Sequence, residues 1–158
     1  MQKVLRSLKT HMEKVAIING FRTPFCKAGS ILKDIRPDLL GALAVKEMIQ
    51  RMRNWGIKTS QIEFVVGSNV ATPPHAPNIA RVAAVKGGLP ESIPAQTLSQ
   101  NCGSGIAAID YGRNLIELGR YDTVLVVGVE SMSQIPLIYS DEIKKEFMRL
   151  SDIKSRTA

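Results

Sequence analysis

The 158-residue sequence holds two cysteines, one tryptophan and 5% aromatic residues in all. Two cysteines exclude a disulfide scaffold and leave the thiols available for chemistry. Cys26 and Cys102 do not stand at metal-ligand spacing, so no metal site is expected. No apolar run approaches the roughly 20 residues that a membrane span needs; the longest, Val124–Val129, is of strand length and includes Gly128. The net charge is +7 and the pI about 9.7. The cations are dispersed and no aromatics are interleaved with them, which argues against a nucleic-acid binder. The same basic balance suits a phosphorylated small molecule. What is present is ordinary: 44% hydrophobic and 22% charged residues describe one globular domain without internal repeats.

Residues 1–14 stand apart. Lys3, Arg6, Lys9 and Lys14 face one acid, Glu13, while Val4, Leu5, Leu8 and Met12 would share a helical face. The segment reads as a basic leader or as a mis-assigned start ahead of Met12, and it lacks the apolar core of a signal peptide. A cytoplasmic protein is expected; the basic leader leaves a mitochondrial alternative. His11 falls in this segment and is assigned no role.

From residue 15 onward short apolar runs alternate with longer amphipathic ones. Val15–Asn19, Ile62–Val66, Ala95–Leu98 and Thr123–Val129 read as strands. Helices are predicted from Pro37 to the stop at Gly56, over Pro77–Lys86 before Gly87-Gly88, and over Gly105–Leu118 before Gly119. The order β-α-β-α-β-α-β specifies an α/β fold, a mostly parallel sheet covered by helices. An all-apolar fourth strand suggests burial on both faces. The helix Gly105–Leu118 carries Ile106, Ala107, Ala108, Ile109, Leu115, Ile116 and Leu118 on more than one side, which places it between layers. After Pro136, residues Ile143, Phe147, Leu150 and Ile153 mark an amphipathic helix within Asp141–Lys154.

The chemistry concentrates in Ser99-Gln100-Asn101-Cys102-Gly103-Ser104-Gly105, between the third strand and the third helix. A cysteine just ahead of a helix meets free N–H groups and the positive dipole end, which favour the thiolate and make a nucleophile. The same N–H groups can stabilise an oxyanion on a thioester carbonyl. Gly103 and Gly105 allow a tight turn and close approach by a substrate. A buried, inert thiol is the alternative. A rival reading uses the same residues: Gly103-x-Gly105-x-x-Ala108 after a strand, with Glu130 ending the next strand, fits most of a dinucleotide-binding fingerprint. It falls on the third strand rather than the first, and Cys102 would crowd the phosphate turn.

Four segments taken together carry a more specific likeness. They are Gly20-Phe21-Arg22-Thr23-Pro24-Phe25, Pro77-Asn78-Ile79-Ala80-Arg81, Asn101-Cys102-Gly103-Ser104-Gly105 and Gly128-Val129-Glu130-Ser131-Met132-Ser133. In this order the chain resembles the thiolases, which make or cleave 3-ketoacyl-CoA, from about residue 15 to 156; the stretch after Ile135 looks most like the fatty-acid-oxidation branch with its trifunctional β subunits. The resemblance implies that Cys102 accepts the acyl group from a coenzyme A thioester, with its own backbone N–H in the oxyanion hole. Coenzyme A enters as substrate, not as a tightly bound cofactor. Glu130, Ser131, Met132 and Ser133 would support the pocket or only shape their turn. Gly103 stands where alanine is usual in the family.

The resemblance also implies parts not found in these residues. The family draws further catalytic groups from a C-terminal half: an Asn-containing motif, a Gly-His-Pro histidine and a cysteine in a glycine-rich turn. None occurs in this sequence. Residues 15–158 are therefore expected to form a partial N-terminal domain truncated in the loop domain, with 134–158 the start of that loop domain. Inactivity of the isolated chain follows as an expectation, with a homo-oligomer or a complementary C-terminal half as partner. A non-catalytic remnant is the alternative. His75 matches no family motif and reads as a solvated loop residue; Arg81 reads as a salt-bridge or interface residue. Lys144, Lys145 and Arg149 lie where the family's loop domain meets coenzyme A phosphates.

Overall fold

The computed structural model describes residues 15–156, with side chains to Ser151. The two readings of residues 1–14, as leader and as mis-assigned start, lie outside the described residues, as do the side chains of Ile153 and Lys154. The elements are α1 (Pro37–Asn54), a 3-10 turn (Thr59–Gln61), β1 (Phe64–Ser68), α2 (Ile79–Lys86), β2 (Ala95–Leu98), α3 (Ser104–Glu117), β3 (Val124–Gly128) and α4 (Asp141–Arg156). The strands form one parallel sheet in the order β2-β1-β3, bearing out the α/β class.

Alternation along the central strand divides the core in two. Val65 and Val127 join Val45, Ile49, Met52, Ala80 and Ala84 from α1 and α2 on one face. Phe64 and Val66 meet Ala108 and Leu115 of α3 on the other, with Val124, Val126 and Tyr121 packed alongside. Every residue of β1 is buried, as a strand flanked on both edges and both faces must be.

Helix ends fall where the glycines predict. Gly56 has φ +74°, its N–H reaches Arg53 O, and the Ile57 N–H reaches Met52 O. This bond pair satisfies two orphan carbonyls, and its left-handed residue favours glycine. The same pattern ends α2 at Gly88 and α3 at Gly119. At its start α2 is capped by Asn78, whose Oδ1 accepts from the Arg81 N–H at 3.3 Å while its Nδ2 donates to Ala95 O.

Several expectations are corrected. Val15–Asn19 forms no strand: it is irregular, and Ile17 is 80% exposed. A strand needs a neighbour; both edges of β1 are taken, and the free edges of β2 and β3 do not pair with this segment. The second strand runs over Phe64–Ser68 rather than Ile62–Val66, passing through Gly67 instead of stopping there. A Cβ at Gly67 would sit 2.5 Å from Ala80 Cβ and 2.8 Å from Ala80 Cα, so this glycine lets α2 lie on the sheet. β3 is half-buried, because it is an edge of the described sheet. α3 is not covered all round: Ala108, Gly112 and Leu115 face the sheet, whereas Ile106 is 75% and Ile109 44% exposed, since no described element covers the outer side. α4 is amphipathic as expected but makes no extended packing against the other elements.

Candidate active site

Parallel pairing in register brings three loops to one rim of the sheet. Ser68 pairs with both Leu98 and Gly128, so the chain leaves all three strands at the same level. The loops that follow begin at Asn69, Ser99 and Val129. They are tied at once: Asn69 N–H donates to Leu98 O at 3.3 Å and Val129 N–H to Ser68 O at 3.0 Å. The carboxyl ends of parallel strands are where such sheets place ligands.

Cys102 lies in the middle loop, exposed and unpaired. The turn is closed from inside by Ser104, itself 5% exposed. The Ser104 hydroxyl donates to Asn101 O at 2.6 Å and accepts from the Gln100 N–H at 2.7 Å. Backbone bonds from Gly103 to Gln100 O and from Ser104 to Asn101 O complete it. The amides of Cys102, Gly105 and Ile106 meet no acceptor among the described residues, and these are the donors a helix start can offer an anion.

The left-handed residue of this turn is Asn101, at φ +47°, and not a glycine. Left-handed backbone costs an L-residue about 1–2 kcal/mol, with Asn among the exceptions that tolerate it. Two net hydrogen bonds of about 1 kcal/mol each from the Ser104 hydroxyl are of the same size. Gly103 and Gly105 therefore act differently from expectation: neither has a positive φ. A Cβ at Gly103 would lie 3.3 Å from Gln100 O, whereas one at Gly105 would meet nothing within 4 Å. Gly105 leaves open space, as close approach by a substrate requires.

The Glu130 carboxylate is committed. Oε1 accepts from Asn69 Nδ2 at 2.9 Å, and Oε2 accepts from the Val70 N–H at 2.7 Å and the Ala71 N–H at 3.3 Å. Asn69 also donates to Val129 O and accepts from the Thr72 N–H, holding Thr72 at φ +33°. Glu130 thus clamps the first loop to the third, which disfavours its use as a ribose-binding acid. Ser133 Oγ accepts from the Gly29 N–H and Gln134 Nε2 donates to Lys33 O, so this segment also anchors the stretch before α1. Ser131 is buried and Met132 exposed.

The remaining candidates lie elsewhere. His75 is not simply solvated: its Nε2 stands 3.2 Å from Asp38 Oδ1. Asp38 is completely buried and also takes a bidentate contact from Arg36 and one from Lys86 at 2.6 Å. Arg36 above all, then Lys86 and His75, hold this carboxyl far below its usual range against the opposing effect of burial. Arg81 forms no salt bridge among the described residues; its guanidinium donates to Ile93 O at 3.0 Å. Lys144 pairs with Asp141, and Arg149 lies 3.9 Å from Glu146; with Lys145 they stand on an exposed helix. Cys26 is a half-buried free thiol.

Residues 15–157 match the family model for the thiolase N-terminal domain. The chain belongs to the thiolase family. This thiolase N-terminal domain is 37% identical over 130 residues to a probable acetyl-CoA acyltransferase of Staphylococcus aureus, covering 82% of the chain and 32% of the relative. It is 39% identical over 129 residues to the 3-ketoacyl-CoA thiolase of Bacillus subtilis, covering 80% of the chain and 32% of the relative. The crystal structure of the Bacillus anthracis acetyl-CoA acetyltransferase superposes with a TM-score of 0.64 at 28% identity, over 73% of this chain and 28% of that one. The chain thus spans 32% of the length of the curated relatives it matches.

The rim loops, Cys102 and the Glu130 clamp all fall within the matched thiolase region. The sequence had pointed to Cys102 and Glu130. It did not reveal Ser104, Asn69 or the burial of Asp38. An Asn before the cysteine, with a serine three residues on, was the available signal for the turn.

Proposed function

We propose that this chain carries the acyl-accepting nucleophile of a thiolase-type acyltransferase. The observation that carries the reading is the exposed Cys102 thiol in a closed turn at the carboxyl rim of the sheet, one residue short of the N-cap of α3. The thiolate would attack the carbonyl carbon of an acyl-CoA thioester, putting negative charge on its oxygen. The unpartnered Cys102 amide is a donor for that oxyanion. Collapse expels the coenzyme A thiolate and leaves the acyl group on Cys102 as a new thioester. Coenzyme A is then a substrate and product, with no tightly held cofactor.

The reaction served would be 3-ketoacyl-CoA cleavage or acetoacetyl-CoA formation. The other acid/base groups of the described rim loops are committed, Glu130 to three donors of the 69–72 loop and His75 to Asp38, so the isolated polypeptide is expected to show no turnover. The exposed side of α3, with Ile106 and Ile109, supports packing against a complementary C-terminal half or a second copy. Two free thiols favour a reducing compartment, and we place the protein in the cytoplasm. The alternative of a remnant without chemistry is separated by the same experiment.

That experiment is half-reaction chemistry. Incubation with acetyl-CoA should acetylate Cys102, read by peptide mass spectrometry, and release coenzyme A in equal amount. Absence of acetyl-Cys102, or equal coenzyme A release by Cys102→Ser, would overturn the proposal.

A further inference from the structure

The turn that presents Cys102 is held by one buried hydroxyl. Ser104 Oγ donates to the carbonyl of Asn101 and accepts from the N–H of Gln100, the two residues on the strand side of the cysteine. Between these bonds Asn101 takes a left-handed backbone, a conformation that side-chain-bearing residues adopt only where the surroundings impose it. Gly103 cannot provide the restraint, since it has an ordinary right-handed backbone as the N-cap of α3 with no side chain. No side-chain cap bond ends the helix at this point. Among the described residues Ser104 is thus the one side chain that closes the turn from within.

We propose that Ser104 is a positioning residue for Cys102. By fixing the reversal at Asn101 its hydroxyl keeps the thiol on the rim, in the same turn as the unpartnered amide of Cys102 and ahead of the free amides of Gly105 and Ile106. The inference rests on the reading of Cys102 as nucleophile and names the residue through which its reactivity is set. Ser104 touches no substrate. It acts through the backbone: without the hydroxyl, Asn101 relaxes toward an ordinary conformation, the Gln100 N–H and Asn101 carbonyl lose their buried partner, and the thiol leaves the helix start. The thiol is then no longer held beside the free amides of Gly105 and Ile106.

The test uses the full chain carrying Cys26→Ser, so that one thiol remains. The rate of alkylation by iodoacetamide is followed against pH for Cys102 in the folded protein and in the urea-unfolded chain. Ser104→Ala should slow alkylation at neutral pH by about fivefold, the factor that one net hydrogen bond represents, and move the midpoint of the pH profile upward. Adding Asn101→Gly should restore both, because glycine adopts the left-handed backbone without help. A purely structural role would change thermal stability and leave the pH midpoint in place. Equal rates and midpoints for a folded Ser104→Ala and its parent would overturn the proposal while leaving Cys102 as nucleophile. A parent thiol that reacts no faster folded than unfolded would overturn both. If Ser104→Ala does not fold, Asn101→Ala replaces it: a raised midpoint supports the positioning role and an unchanged one overturns it.

Discussion

Lys86 Nζ lies 2.6 Å from Oδ2 of Asp38, a carboxylate without solvent exposure. With the bidentate Arg36 and the His75 ring, this contact joins the start of α1 to the end of α2 and to the loop after β1. The three partners are each about two-fifths exposed, so water screens them and each alone contributes little. The buried acid is the vulnerable partner. Asp38→Asn should cost roughly 2 kcal/mol, as lost charged hydrogen bonds do; Lys86→Met should cost less than about 1 kcal/mol, since Arg36 and His75 remain. Urea denaturation of both variants checks the order.

The same carboxylate sets a pH dependence. Its folded value is depressed, so the stabilisation is fully present above the unfolded carboxylate value of about 3.9 and is lost as pH falls below it. Asp38→Asn should flatten the acid side of the stability profile, measured as the denaturation midpoint against pH.

Two glycines should respond in opposite directions. Gly67→Ala drives a methyl into the backbone of α2 at Ala80 and should cost about 3 kcal/mol. Gly105→Ala meets nothing within 4 Å and should stabilise by about 0.5 kcal/mol through the unfolded chain. Thermal denaturation reads both.

Glu130→Ala removes the acceptor of three donors. The carboxylate is exposed, so the expected loss is about 1 kcal/mol, confined to the 69–72 loop. Faster proteolysis between Val70 and Thr72, with little change in the global transition, is the expected outcome.

The outer side of α3 predicts association. Ile106 and Ile109 lie open on a helix otherwise seated on the sheet, and Leu137 and Ile138 are exposed as well. Light scattering should show self-association, and Ile106→Lys should reduce both it and dye binding. A monodisperse parent that binds no hydrophobic dye counts against this.

Local signals were legible in the sequence because their causes are local. Gly56, Gly88 and Gly119 end helices by backbone preference, and Ala95–Leu98 forms the short strand expected there. Errors came where tertiary contacts decide. Val15–Asn19 has strand composition but no partner among the described residues; Gly67 reads as a breaker yet serves close packing. At the site, Cys102 was visible as a residue type in a turn. Ser104 and the left-handed Asn101 were not, because their effect depends on hydrogen bonds that close only when the turn forms. Asp38 stands in the first turn of α1, and nothing in the sequence shows that Lys86 and His75 converge on it.

The parallel sheet has a kinetic consequence. Asn69 and Val129, whose contact helps bind two of the rim loops, are 60 residues apart in the chain. Such distant pairings carry a large closure entropy and form slowly. The rim assembles only after β1 has captured both neighbours, each through a helical crossover. The rim that carries Cys102 is thus set by pairings between residues far apart in the chain.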